Sequence, residues 1–564
     1  MPTGTHTFAS MSMGSSEHVG ARVTVFRLYG EPLTFGMGSE YGEVLSLSWG
    51  RQLGQGSRGL AGRLVFVLSG RAGGQVGTAW SEVISPRDYI EVEVNVSRSQ
   101  AADPLGWGST DGWETRFTGF VNEITAPTLT PDGEQLTTVV CSDQMGVLAQ
   151  QHYAYWRNVG AIFRGNLPNE GIVATLGALA EKGHDRFDLE ANSIAGAADT
   201  LFKVLLYDRL GFSRDIGGTA YRWDDLHGYL FQSDDFGIHV DVTTLAPEGK
   251  SWADAVSWVL DAPFFHEFFM ENLTEAEAER TLRNGGVRDV GRVSQVRRKA
   301  AKRKLKGGRQ ETFVLRPSPF PTYDPQRGGY NGAAWDGLPI VESLPTGNTS
   351  HDLRRSDADL YSLYSVDLVN QQGTQVDRSG EANAEAQVIG DAEAYSRRVG
   401  YSALDPTSKR AEVRYQGGGQ VYGQSLDRAE LARRLAWQVF SWSQFNDRFY
   451  AGTITGPLDL RAQLGVRYLD EGRLYYVEGY QHTIGADGSA GTEWTVSRGL
   501  SAAAYGVTKA AHPHNLHGRT GRTDQTEAEQ GLYAAYLGRQ RPGEKYAPVV
   551  GNAVSTGIGE EHGR

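Results

Sequence analysis

Four places along the chain carry residue types that chemistry can use. Gly54-Gln-Gly-Ser-Arg-Gly59 has the glycine spacing of a dinucleotide-binding loop. Such a loop needs a strand before it and a helix after it, so that the helix N-terminus meets the pyrophosphate. Here Leu64-Val-Phe-Val-Leu68 follows and reads as a strand, so the spacing predicts a tight turn. His266-Glu267 begins like a zinc-protease helix, but Met270 stands where the second histidine belongs. Cys141 is the single cysteine, which excludes an intrachain disulfide framework and a cysteine-rich zinc module, and no local feature marks it as a nucleophile. Glu478, Tyr480 and His482 fall on one face of a strand, where an acid/base cluster can be drawn from them; the same alternation fits a strand whose polar side meets solvent or another subunit. No Walker sequence, Gly-x-Ser-x-Gly elbow or EF-hand loop occurs. No catalytic residue, cofactor or metal ligand is therefore assigned, although carboxylate pairs of the glycosidase type need no fixed spacing and stay open.

The strongest local charge feature is Arg297-Arg-Lys-Ala-Ala-Lys-Arg-Lys-Leu-Lys306, closed by Gly307-Gly308. Arg297, Arg298, Lys299, Lys302, Arg303 and Lys304 are candidate contacts to phosphate or to an acidic partner. A solvated loop or hairpin tip is the other reading of the same run. The chain as a whole is acidic, with 55 Lys and Arg against 67 Asp and Glu and a net charge of -12, which opposes wrapping nucleic acid over the whole surface.

These residues need elements to hold them. At roughly 150 residues per domain, 564 residues predict about four structural units. The 71 glycines come with 25 Tyr, 21 Phe and 12 Trp, the mixture of a turn-rich β protein and not of a disordered one. Strand-like runs recur at Val23–Leu28, Val44–Trp49, Leu64–Leu68, Tyr89–Val96, Thr115–Val121 and Leu136–Cys141. In the fourth, Ile90, Val92, Val94 and Val96 alternate with Glu91, Glu93 and Asn95, which predicts a strand with its acids in water. Helical spacing follows at Gly171–Lys182 and Ala198–Leu210, and Ser251-Trp-Ala-Asp254 is a capping box for a helix to Leu260, stopped by Pro263. Phe313–Phe320 returns to the β pattern, and Asp427–Phe445 is the clearest helix, with Leu431, Leu435, Val439, Trp442 and Phe445 on one face. Tyr450–Thr455, Leu474–Tyr480 and Glu493–Leu500 read as strands, with turns at Gly465 and Asp487-Gly488. Past Tyr505 the composition turns to Gly, His, Thr and Arg, an extension expected to order on a partner, helical only from Gln525 to Leu537. Met1–Gly20 lacks the charged and apolar regions of a secretory signal, and no apolar run reaches about 18 residues, so no membrane insertion is expected.

In their order along the chain, several of these pieces resemble the baseplate hub of phage tails and related contractile injection machines. They are Phe117-Thr-Gly-Phe-Val-Asn-Glu-Ile124 with Val139-Val-Cys-Ser-Asp-Gln144, then Ala262-Pro-Phe-Phe-His-Glu-Phe-Phe269 leading to Phe313–Phe320 and Ser356-Asp-Ala-Asp-Leu-Tyr361, then Gly452-Thr-Ile-Thr-Gly456, Leu464-Gly-Val466, Tyr475-Tyr-Val-Glu-Gly-Tyr-Gln-His482 and Ser497-Arg-Gly-Leu500. The resemblance covers about residues 20 to 500. It implies an α+β, β-dominated fold with two tube-forming β-barrel-like domains, arranged three-fold so that six barrels ring a channel. Expected divisions are a flexible 1–20, a first barrel at 21–150, a mixed α/β domain with the basic insertion at 151–310, a second barrel with helix at 311–505, and an extension at 506–564. The implied function is a non-enzymatic homotrimer joining the tail tube to the central spike, assembled in the host cytoplasm and resident in the virion tail. Implied partners are the tube or distal tail protein, the spike, a tape-measure protein and DNA in passage. A tail-associated cell-wall or polysaccharide hydrolase is the competing reading, and a carbohydrate-binding tail protein a third.

Overall fold

A computed structural model describes residues 20–36, 43–54, 59–72, 77–96, 112–150, 190–202, 213–233, 240–241, 266–285, 295–356, 363–369, 387–390, 410–416, 449–501 and 549–552, with 251 and 442, apart from gaps at 132, 192–193, 321, 325–328, 332, 345–348 and 486–488. The chain is β-dominated, and every strand run expected before residue 150 forms. In chain order these are β1 (Gly20–Phe26), β2 (Leu33–Gly36), β3 (Glu43–Gln52), β4 (Arg63–Ser69), β5 (Tyr89–Val96), β6 (Gly112–Ile124) and β7 (Gln135–Ser142). The middle of the chain gives β8 (His227–Ser233), β9 (His266–Leu273), β10 (Gln295–Lys299) and β11 (Gln310–Pro317). The later part gives β12 (Ile340–Glu342), β13 (Ser350–Arg354), β14 (Tyr450–Pro457), β15 (Arg467–Asp470), β16 (Arg473–Gly485) and β17 (Ala490–Ser501).

One fourteen-stranded sheet runs through both halves, in the order β2-β1-β5-β6-β7-β4-β3-β16-β17-β14-β13, with β15 beside β16, β12 beside β15 and the short strand Thr128–Leu129 beside β7. The halves meet where β3 pairs antiparallel with β16, from Ser46 opposite Gly485 to Gln52 opposite Gly479. Gly50 sits in that joint, and a Cβ there would collide with the Tyr480 carbonyl oxygen. A side chain at this position would push the two halves apart.

Alternation along β1, β4 and β5 sends Val23, Val25, Leu64, Phe66, Leu68, Ile90, Val92 and Val94 into one core with Phe35, Trp49, Trp80 and Phe117. Leu458, Leu460 and Ile484 from the later half complete it. A second core gathers Trp335, Tyr468, Tyr475, Tyr476, Val477, Trp494 and Val496, and takes Leu53 from the first half and Phe269 and Val314 from the middle. Each core thus contains residues from distant parts of the chain.

The middle of the chain forms a separate four-stranded sheet, ordered β9-β11-β8-β10, in which β8 and β11 are parallel and the other pairs antiparallel. The strand expected from Phe313 forms as β11 and belongs to this sheet. Of the middle helices, Ile194–Leu201 is described and buries Ile194, Ala195 and Ala198; Phe202, which follows it, packs on Phe231, Phe268 and Phe313. The helix expected at Gly171–Lys182, the one expected at Trp252–Leu260 and the Asp487-Gly488 turn lie outside the described residues. Of Asp427–Phe445 only Trp442 is described: it is buried, and its indole N–H donates to the Phe320 carbonyl at 3.1 Å. From the C-terminal extension, Val549–Asn552 pairs with Gln387–Gly390 in a sheet with Leu363–Val369 and Arg410–Gln416. Among the described residues, no helix is long and apolar enough to cross a membrane.

Glu91 and Glu93 are 5% and 2% exposed, so β5 is buried on both faces. The strand alternates as expected, but a later segment of the chain covers the face that the pattern assigns to water.

Candidate functional site

That covering segment is the basic run. Beyond β10, a loop closed by positive-φ turns at Gly307 and Gly308 lays its cations on the acids of β5 and β6. Arg303 pairs with Glu91, donates to the Tyr89 hydroxyl at 3.2 Å, and lies 5.5 Å over the Tyr89 and Tyr221 rings. Lys306 reaches Glu93 at 2.8 Å, and its backbone N–H donates to the Thr115 hydroxyl at 3.1 Å. Arg309, 2% exposed, bridges Glu114 at 3.3 Å and Glu277 at 3.0 Å, and also donates to the Asn272 carbonyl at 2.7 Å.

The six cations singled out by sequence therefore have different fates. Arg303 is largely withdrawn from water. Lys302, 72% exposed, pairs with Asp225 at 2.6 Å. Burial would raise the Asp225 carboxyl, but the Lys302 ammonium and the Arg222 N–H outweigh it and hold the group below its usual range. Arg298 reaches Glu275 at 3.2 Å, and Lys304 donates to the Gln310 side chain at 3.3 Å. Arg297 is exposed and Lys299 half-buried, both on β10.

A second charged cluster, which the sequence did not single out, lies at the meeting of the middle sheet with both halves of the large one. Glu267, Phe269 and Glu271 share one face of β9, and Arg316 and Val314 lie opposite on β11. Arg51 of β3 donates to Glu271 at 2.8 Å and to Asp143 at 3.2 Å. The Tyr480 hydroxyl and the Leu464 N–H also donate to Glu271, each at 3.1 Å. Arg316 donates to Glu267 at 2.9 Å and to the Gly465 carbonyl at 2.8 Å, and the Tyr476 hydroxyl donates to Glu267. On the other face of the sheet, Glu311 accepts from Tyr89 at 2.5 Å and lies 2.6 Å from His227 Nε2. Burial raises the Glu267 and Glu271 carboxyls, and the adjoining guanidiniums offset part of it. Burial likewise opposes the Arg51 charge, but Glu271, Tyr480 and Asp143 together hold it firmly protonated. The one usable signal in the sequence was charge set inside Phe-rich runs: Glu267 and Glu271 around Phe268-Phe269, and Arg316 after Phe313-Val-Leu315.

The other chemical candidates resolve into structure. His266-Glu267 lies on a strand, not a helix. Cys141 is buried in the first core, where burial pushes its thiol well up. A register shift between Val477 and Gly479 splits the trio of β16: Glu478 is half-buried at the shift, and its carbonyl accepts from the Leu53 N–H at 2.6 Å. Tyr480 and His482 turn inward. His482 packs 4.9 Å from the Trp49 ring and meets the Thr492 hydroxyl at 2.9 Å; burial, aided by Arg116, pushes its pKa down to about 3. A neutral buried imidazole of this kind is a packing group.

No family model matches the chain, and no curated protein matches it. Solved structures similar to it include tail and secretion-system proteins. The tail protein from Neisseria meningitidis MC58 is 10% identical, with 85% of this chain and 96% of that one covered and a TM-score of 0.39. The E. coli c3393 protein, a type VI secretion component with structural similarity to T4 bacteriophage tail proteins gp27 and gp5, is 9% identical, with 81% and 74% covered and a TM-score of 0.30. The Francisella PdpA-VgrG complex in its lidded form is 8% identical, with 85% and 52% covered and a TM-score of 0.34; this chain spans about half the length of that one.

Proposed function

We propose that this chain is a structural baseplate hub of a phage tail or related injection machine, acting without catalysis as a homotrimer around an axial channel. The observation that carries this is the β3–β16 joint, which fuses two β units into one sheet whose terminal strands are β2 and β13. A chain with two linked β units and a strand edge at β2 suits cyclic assembly, since edge pairing between copies would satisfy the backbone groups that an edge leaves open. Three copies would then present six units, the way a three-fold spike is matched to a six-fold tube. In this reading the middle sheet and its buried ion pairs fix the angle between the two units. The tube or distal tail protein, the spike and the tape-measure protein are the proposed neighbours, with DNA passing through and the virion tail as the location.

For the basic segment we propose mainly an intramolecular role, as a clamp on β5 and β6. Contact with phosphate or an acidic partner then falls to its solvent side, at Arg297, Lys302 and Lys304.

The test is mass in solution by light scattering over a range of concentrations, with negative-stain imaging, alone and co-expressed with the spike. The expected result is three times the 61.6 kDa chain mass and rings with a central hole. A monomer under both conditions would sink the trimer.

A further inference from the structure

The later half of the large sheet returns upon itself. Along the hydrogen-bonded path β13-β14-β17-β16-β15, four strand spacings separate β13 from β15, about 19 Å if the sheet were flat. Yet His351 Nε2 on β13 lies 2.6 Å from Asp470 Oδ2 at the end of β15. The sheet therefore curls until its terminal strand faces the β15–β16 hairpin, and this side-chain pair crosses the seam. Beyond Asp470 the hairpin turns through Glu471 and Gly472, with φ of 46° and 75°, the left-handed pair of a tight two-residue turn. One ligand atom from each of His351, Asp470 and Glu471 lies within 4.8 Å of the other two.

We propose that His351, Asp470 and Glu471 bind one divalent first-row transition-metal ion, of which zinc is the representative, and that the ion staples the terminal strand β13 to the β15–β16 hairpin. The donor set is one imidazole nitrogen and two carboxylates. Imidazole suits zinc, copper, iron and nickel, whereas magnesium and calcium take sites built of oxygens. Ligands about 2.1 Å from a tetrahedral ion stand about 3.4 Å apart, so the His351–Asp470 pair must open from 2.6 Å and the widest pair must close by up to about 1.4 Å. Glu471, exposed at the hairpin tip, has the freedom to supply that movement. Asp470, 3% exposed, anchors the site, and His351, 23% exposed at its side chain, opens it to solvent. The arginines around the cluster are engaged elsewhere: Arg473 and Arg355 lie 4.6 and 5.0 Å over the Tyr450 ring, and Arg461 pairs with Asp459 at 2.9 Å. An ion here takes the place of the hydrogen bond between His351 and Asp470. Three protein ligands leave a coordination position for water or for a group from a docked neighbour.

The experiment compares the wild-type chain with His351→Gln, which can still hydrogen-bond Asp470 but ligates poorly, and with Asp470→Asn. Because the chain carries 13 histidines, including His512, His514 and His517, the readout is the difference between variants and not the total metal bound. Zinc titration by calorimetry and cobalt titration by visible absorption are run on the full chain, with thermal unfolding at rising free zinc. The proposal expects wild type to bind one equivalent more than either variant, with a cobalt d–d band the variants lack. Its melting temperature should rise with the logarithm of free zinc, and magnesium or calcium should not substitute. Equal stoichiometry, cobalt spectrum and zinc response in wild type and folded His351→Gln would overturn it. If neither variant folds, wild type that binds no zinc and shows no zinc-dependent rise in melting temperature would do the same.

Discussion

The basic clamp on β5 and the junction around Arg51 use the same chemistry, guanidinium or ammonium against carboxylate, at opposite degrees of burial. Lys302 and Lys306 keep 72% and 50% of their side chains in water, whereas Arg51 keeps 2% and its partners Asp143 and Glu271 keep 1% and 4%. In the first case water solvates the lysine ends whether or not the pair forms, so each lysine adds little. In the second, no group can lose its partner without leaving a charge in a dry site, so the geometry is all or nothing. Buried pairs stabilise a fold weakly compared with apolar residues of the same shape, but they punish the wrong arrangement strongly. That asymmetry suits a joint whose angle must be fixed better than a patch that need only lie flat.

The largest predicted effect breaks the junction. Arg51→Met removes the cation facing both Asp143 and Glu271, and should lower stability in denaturant unfolding by about 3–5 kcal/mol. Replacing both members, Arg51→Met with Glu271→Leu, should recover only part of that loss, because no isolated charge then remains at Glu271 while the buried Asp143 still lacks its guanidinium. Tyr480 and Leu464 N–H would keep only weaker, neutral alternatives. A double variant as unstable as the single one would mean that the junction stabilises through the pair itself. Within the basic segment, Arg309→Ala should behave as a junction residue and not as a clamp residue, since it is buried between Glu114 and Glu277. A cost near that of Lys302→Ala would break the division by burial drawn here.

A smaller effect tests burial without an ion pair. His482 has a folded pKa of about 3 against an ordinary value of 6.5, so the fold holds it neutral. Its contribution to stability is complete above pH 6.5 and is lost as pH falls from there toward 3, because only the unfolded chain takes up the proton readily. Between pH 7 and pH 5 this amounts to about 2 kcal/mol. His482→Leu should flatten that part of the stability profile, while Thr492 keeps its bond from the Asp459 N–H at 2.8 Å. An unchanged slope in the variant would place the acid sensitivity elsewhere.

The sequence made the strands legible because their apolar residues alternate locally: Ile90, Val92 and Val94 go inside as the period of two requires. It misassigned Glu91 and Glu93 for a physical reason. Period two says which residues share a face, but not what covers the opposite face, and here the cover comes from Arg303 and Lys306, more than two hundred positions away. The junction was illegible for the same reason, since Arg51, Asp143 and Glu271 come from three separated strands or strand ends. The basic run was visible as charge, but its partners were not.

The smallest effect sharpens the comparison from the solvent side. Lys302→Ala should cost at most about 1 kcal/mol at low salt, since exposed pairs seldom exceed that, and Lys306→Ala a similar amount, because Arg22 still pairs with Glu93. Near 1 M salt, where the screening length is about 3 Å, most of that difference should vanish. The Arg51 variant should keep its deficit at the same salt, because ions do not enter a site closed by Phe117, Tyr480 and the β9 strand. Measuring the three variants against wild type at both salt concentrations separates the regions by mechanism as well as by size. A salt-independent loss at Lys306 would show that its contact with the nearly buried Glu93 has made the clamp part of the core, and the boundary between the two regions would then run along β5 itself.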